Sequence, residues 1–140
     1  MKQISDQTCP KGYPAVYCGV VYYPYPLIKK INIFSKIQIA SLEDISAMKI
    51  AAICERGTKR DFIDLYFLAK EFSFEQMLKF FDQKYGVLKD QLYIILRSME
   101  YFEDAEMDKM PNMLVPVSWE EVKKNFQDQV IKLAKRKLKI

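Results

Sequence analysis

Hydrophobic and polar positions alternate in two different ways along this chain. Up to about residue 40 the apolar residues are aromatic or β-branched and come in short runs, as in YPAVYCGVVYYPYP. That composition suits a strand from about Ala15 to Tyr22, which Pro24 and Pro26 would end because proline cannot donate to a ladder. A second short strand is expected around Ile37 to Ala40. Between the two, PLIKKINIFSK reads either as an irregular connection or as a short extra strand.

From Ser41 the period changes to that of a helix, and each helix is announced by its cap. SLED at 41–44 is a capping box, in which the serine hydroxyl serves a free amide and Asp44 reaches back. Gly57 ends that helix. Thr58 with Asp61 opens the next, carried on by Phe62, Leu65, Tyr66 and Leu68. Ser73 with Gln76 opens FEQMLKFFDQKY, which stops at Gly86. A fourth helix is predicted from Lys89 to Phe102, with Leu92, Ile95 and Met99 at helical spacing. Residues 103–117 hold acids and two prolines without a period and read as a long loop. Ser118 with Glu121 then opens a last helix with an apolar stripe of Trp119, Val122, Phe126, Val130 and Leu133. The fold class predicted is α+β, with a small strand unit followed by a bundle of about five helices, in one domain over residues 1–140.

Half of the 140 residues are hydrophobic, enough for a sizeable core. No apolar run approaches the roughly 20 residues that span a bilayer, and MKQISDQTCPKGYP lacks a signal-type apolar stretch, so a cytoplasmic protein with no membrane partner is expected. The chain has no histidine, which excludes Ser-His-Asp and Cys-His catalysis and a Cys/His zinc site. Cys9, Cys18 and Cys54 are expected to be reduced thiols. The net charge of +4 is concentrated in the tail KLAKRKLKI, which reads either as a solvated helix end favoured by the helix dipole or as a phosphate contact.

Within ISAMKIAAIC, residues 45–54, Lys49 is the one charged residue, and an ammonium in apolar surroundings needs a partner. Asp61 and Asp64 share a face of the next helix, and the Gly57 turn folds that helix back toward Lys49. Two readings follow. The cluster is an ion pair that fixes helix packing, or it is a phosphate-binding lysine beside a carboxylate that positions or deprotonates a nucleophile. Arg56, Lys59 and Arg60 add positive charge where free helix amides also favour an anion.

The stretch IASLEDISAMKIAAICERGTKRDFIDLYFLAKEFS resembles the C-terminal motifs of the AbiEii/AbiGii family of nucleotidyltransferase-like toxins of bacterial toxin–antitoxin and abortive-infection systems. The family's K-[IL]-x-A motif is met by Lys49-Ile50-Ala51-Ala52, and its D-x-x-D-[LIV] motif by Asp61-Phe62-Ile63-Asp64-Leu65. YPYPLI, FEQMLKFFDQKYG and MLVPVSWEEVKKNF are similar to family segments too. The resemblance implies a polymerase-β-like fold, with residues 1–40 a remnant of the nucleotidyltransferase core and 41–140 a helical lobe. It implies catalytic roles for Lys49, Asp61 and Asp64, nucleotide binding by Lys49, Arg56, Lys59 and Arg60, and Mg2+ with a nucleoside triphosphate as cofactors. In the family a Gly-Ser motif binds the triphosphate and an Asp-x-Asp pair holds magnesium.

Those two motifs are missing here. Asp6 is the one acidic residue before Glu43, and neither Gly12 nor Gly19 precedes a serine. No residue of this chain is therefore assigned to a metal, because Asp61 and Asp64 would lack the opposing strand pair. The expectation is a truncated AbiEii-like toxin protein, inactive alone, that binds nucleotide weakly. The alternative is a non-catalytic helical interaction module that binds an antitoxin or self-associates through an exposed strand edge. Binding of tRNA through the basic tail ranks last, since that tail lacks interleaved aromatics.

Overall fold

In the computed structural model, which describes residues 24–137, helices carry the architecture and the strands stand apart from it. Strands β1 (Asn32–Phe34) and β2 (Ile37–Ile39) form an antiparallel hairpin that pairs Asn32 with Ile39, Ile33 with Gln38 and Phe34 with Ile37. The Ser35-Lys36 turn has φ of 48° and 68°, the left-handed geometry that matches the twist of a two-residue hairpin. Within PLIKKINIFSK, residues 26–36, β1 is thus the short extra strand of the two readings, and β2 lies where the second strand was expected. The predicted Ala15–Tyr22 strand lies outside the described residues.

Helices α1 (Leu42–Glu55), α2 (Lys59–Leu68), α3 (Phe74–Tyr85), α4 (Leu88–Glu100) and α6 (Trp119–Lys137) form the bundle, with a one-turn α5 (Glu103–Glu106) before the last. The bundle plus hairpin is the α+β class expected. α1 packs on α2, α3 and α4, and α6 closes over α2 and α4. Ala47, Ile50 and Ile53 of α1 meet Phe62 and Leu65 of α2 and Met77, Leu78 and Phe81 of α3 in the core. Phe62 is fully buried, and its ring lies 5.1 Å from those of Phe102 and Phe126 and 5.9 Å from that of Trp119. Val122, Phe126, Val130 and Leu133 of the α6 stripe are all buried.

The caps fall where the sequence puts them, but their second arms differ. Ser73 and Gln76 make the full reciprocal box. At the other three starts the hydroxyl accepts the expected amide while the carboxylate works elsewhere. Asp44 accepts from the backbone of residues 28 and 29, Asp61 from Lys49 and Arg56, and Glu121 from the Tyr66 hydroxyl at 2.6 Å. The predicted 103–117 loop is also shorter than expected, because α5 occupies its first turn and puts Ala105 wholly inside the core. One helical turn is too short to show a period.

No helix among the described residues is long and apolar enough to cross a membrane.

Candidate functional site

The Gly57 turn builds the site. Ile50 and Ile53 hold one face of α1 in the core, which leaves Lys49 at the bundle's edge with a quarter of its side chain exposed. Gly57, at φ +56°, reverses the chain, and its amide donates to the Ala52 carbonyl at 3.1 Å. Thr58 then caps α2 and places Asp61 and Asp64, one turn apart, toward Lys49.

Lys49 Nζ lies 3.2 Å from Asp61 Oδ1 and 2.7 Å from Asp64 Oδ2. Arg56 donates through Nε to Asp61 Oδ2 at 3.0 Å and through Nη2 to Oδ1 at 3.1 Å. The Thr58 hydroxyl adds a 2.7 Å bond to Oδ2. Asp61 is 1% exposed and both its oxygens are engaged, whereas Asp64 is 50% exposed and gives only Oδ2 to Lys49. Burial by itself would raise the Asp61 pKa, but the bonds from Arg56, Thr58 and Lys49 outweigh it and hold the group at about 2. Burial likewise disfavours the Lys49 cation, and Asp64 and Asp61 overcome this to raise its pKa. Asp61 is therefore ionised at neutral pH, and Lys49 and Arg56 stay protonated beside it.

An open cleft of about 670 Å³ lies over the cluster, lined by Lys49, Arg56, Thr58, Arg60, Asp61 and Asp64, with Asp108 and Lys109 from the segment after α5. Its four cations exceed its three acids by one charge. Such a wall accepts the oxygens of a phosphate, with Lys49 as a point donor and Arg56 and Arg60 as planar ones.

The structure brings together Lys49, Asp61, Asp64, Arg56 and Arg60, as predicted. Lys59 is different. It is 7% exposed, its ammonium donates to the Asp108 carbonyl at 2.8 Å, and it sits 5.1 Å from the Trp119 ring, so it is not available to a nucleotide. Its place at the first turn of α2 turns the side chain toward α6 and away from the cleft. Asp108 and Lys109 were not anticipated, since an aperiodic acid-and-methionine segment gives no signal of where it folds.

A magnesium ion does not fit these residues alone. Asp61 has no oxygen to spare, and no group of three or more carboxylate or thiol side chains converges among the described residues. Phosphates do fit, through the cations of the cleft. Burial pushes the Cys54 thiol up, which keeps it protonated and unreactive. In the basic tail, Arg136 and Lys137 pair with Glu75 at 2.8 and 3.0 Å, the structural use of a helix end.

Three comparisons with known proteins bear on this geometry. Residues 15–136 match the family model described as nucleotidyl transferase AbiEii toxin, type IV TA system. The uncharacterized protein aq_aa25 of Aquifex aeolicus (strain VF5) is 36% identical over 112 residues, which cover 77% of this chain and 52% of the relative. The chain thus spans about half the length of that curated relative. No solved structure matches it.

Proposed function

This chain belongs to the AbiEii nucleotidyl transferase toxin family, and from that premise we propose that its cleft supplies the phosphate-binding half of a nucleotidyl transfer site. The observation that carries the reading is Lys49 at the wall of a polar cleft, held by two carboxylates from the next helix. A lysine fixed in this way meets a phosphate without first losing side-chain freedom, which is how positioning and charge stabilisation assist phosphoryl and nucleotidyl transfer.

The acidic and basic groups have distinct roles in this proposal. Lys49, with Arg56 and Arg60 beside it, binds phosphate oxygens. Asp61 is a positioning residue, because its oxygens are saturated by the groups it orients. Asp64 is the carboxylate that can reach a ligand, since it is half-exposed and has Oδ1 to spare. The described residues supply no metal set, so catalysis by this chain requires carboxylates from outside them, and nucleotide binding is the activity expected of the lobe itself.

Titrating the full chain with GTP and with ATP, in the presence of magnesium, tests the reading. Binding at millimolar concentration or tighter is expected, with a loss of tenfold or more in Lys49→Ala. Absence of binding at several millimolar would remove the nucleotide from the proposal.

A second reading rests on the hairpin. Every residue of β1 and β2 is exposed, and Ile33, Phe34 and Ile37 are each more than 60% exposed. Apolar side chains on both faces and strand edges that no other described residue pairs with together suit a protein partner, either the antitoxin implied by a toxin–antitoxin system or a second copy. Light scattering should show a mass that grows with concentration, or with added antitoxin, and Phe34→Lys should reverse it. A clean monomer at high concentration that also ignores antitoxin would dispose of this reading.

A further inference from the structure

We propose that the recess between α2 and residues 111–113 holds the base of the nucleotide whose phosphates lie against Lys49 and Arg60; this rests on the phosphate reading above. The recess has a volume of about 300 Å³ and is lined by Arg60, Ile63, Asp64, Pro111, Asn112 and Met113. Arg60 and Asp64 line the phosphate cleft as well, so one ligand can occupy both spaces.

The chemistry of the recess is that of a flat heterocycle with a polar edge. Its apolar wall consists of Ile63, which is 4% exposed, and of half-buried Pro111 and Met113. Ring faces pack on such surfaces, and a thioether adapts to the shape of a ring. At the rim the Asn112 amide can donate and accept, the Asp64 carboxylate accepts from an amino or ring N–H group, and the Arg60 guanidinium offers a plane for stacking. A few placed polar groups around an apolar floor are the usual form of a small-molecule site.

The wall is also held in place. Asp108 Oδ2 accepts from the Lys59 amide at 2.9 Å and the Asp108 carbonyl accepts from the Lys59 ammonium at 2.8 Å, which pins the segment to the start of α2. α2 therefore carries one side of the recess and anchors the other. This prior ordering lowers the cost of binding.

A larger cleft of about 590 Å³ between α1 and α4, with Tyr93 and Tyr101 at its mouth, is the competing place for a base. It meets the phosphate cleft only at Arg56, whereas the recess shares both Arg60 and Asp64 with that cleft. Its lining acids, Glu55, Glu100 and Asp104, outnumber its cations, Arg56 and Arg97, the reverse of the balance in the phosphate cleft.

Calorimetry of the full chain with ATP, GTP, CTP, UTP and inorganic tripolyphosphate, each with magnesium, separates base from phosphate. At least one nucleoside triphosphate should bind about tenfold tighter than tripolyphosphate. Asn112→Ala and Met113→Ala should each reduce that advantage at least threefold while leaving tripolyphosphate binding unchanged. Asn112 is exposed, so its variant keeps the test valid even where Met113→Ala unfolds. If both variants bind all five ligands as the parent does, and Lys49→Ala alone weakens them, the recess is not the base site and the phosphate reading stands. If no ligand binds, both fall.

Discussion

Asp44 and Lys84, forty residues apart, meet at 2.8 Å with side chains only 1% and 2% exposed. The same carboxylate accepts from the amides of Ile28 and Lys29 and from the Ser41 hydroxyl, and Lys84 also donates to the Pro26 carbonyl. One buried pair thus ties the segment leading to the hairpin onto both α1 and α3.

Breaking this pair should be costly because it strands a buried charge. Asp44→Ala and Lys84→Ala are each expected to lower unfolding stability by about 3–5 kcal/mol, whereas Asp44→Leu combined with Lys84→Met should recover the part due to the stranded charge but not the part due to the Ile28 and Lys29 amides. Urea unfolding of the three variants checks this. A double variant no better than the worse single one would contradict it.

Stability should also fall in acid. Burial raises the Asp44 pKa, but the bonds from Ile28, Lys84, Ser41 and Lys29 prevail and hold it at about 2, as with Asp61. A folded pKa depressed below an unfolded value of about 3.9 gives stability that is complete above pH 5 and lost as pH falls toward 2. Each carboxylate contributes on the order of 2 kcal/mol to this loss. Urea midpoints between pH 7 and pH 2.5 should decline mainly below about pH 4, and Asp61→Asn should decline less. A flat profile for the parent chain would overturn the assignment.

Asp61 and Asp64 should part company under mutation. Asp61→Ala leaves Arg56, Thr58 and Lys49 without their shared acceptor and is expected to cost about 3 kcal/mol. Asp64→Ala removes one half-exposed pair and should cost under about 1 kcal/mol. Thermal unfolding that ranks the two the other way would refute the division of roles.

The two helix-ending glycines make a similar contrast. A Cβ at Gly57 would stand 3.3 Å from the Ile53 carbonyl oxygen as well as at positive φ, while one at Gly86 would meet nothing within 4 Å. Gly86→Ala is expected to cost about 1 kcal/mol from backbone conformation, and Gly57→Ala clearly more. Equal shifts in melting temperature would show that the close approach is not felt.

Much of this was legible because it is local. Ser41, Thr58, Ser73 and Ser118 each begin a helix, and the Lys49, Asp61, Asp64 cluster follows from helical spacing plus one glycine turn. The hidden part is long-range. Nothing near Lys84 or Pro26 marks them as partners of Asp44, and nothing near Lys59 announces Asp108, 49 residues away. Acid and amide side chains at the fourth position of a capping box, here Asp44, Asp61, Gln76 and Glu121, resemble one another in sequence. Tertiary partners divert three of the four from the backbone amide they could have served.

The ion cluster over Gly57 has a kinetic consequence. All its members lie between residues 49 and 64, so closing it orders only a short loop and carries little entropic cost. Contacts of such low sequence separation form early, ahead of those that bring α6 across the bundle. A chain still emerging during synthesis can therefore assemble the Lys49, Asp61 and Asp64 cluster before the last helix exists. Pulse-labelling hydrogen exchange should find the amides of α1 and α2 protected before those of α6, and simultaneous protection would argue against this order.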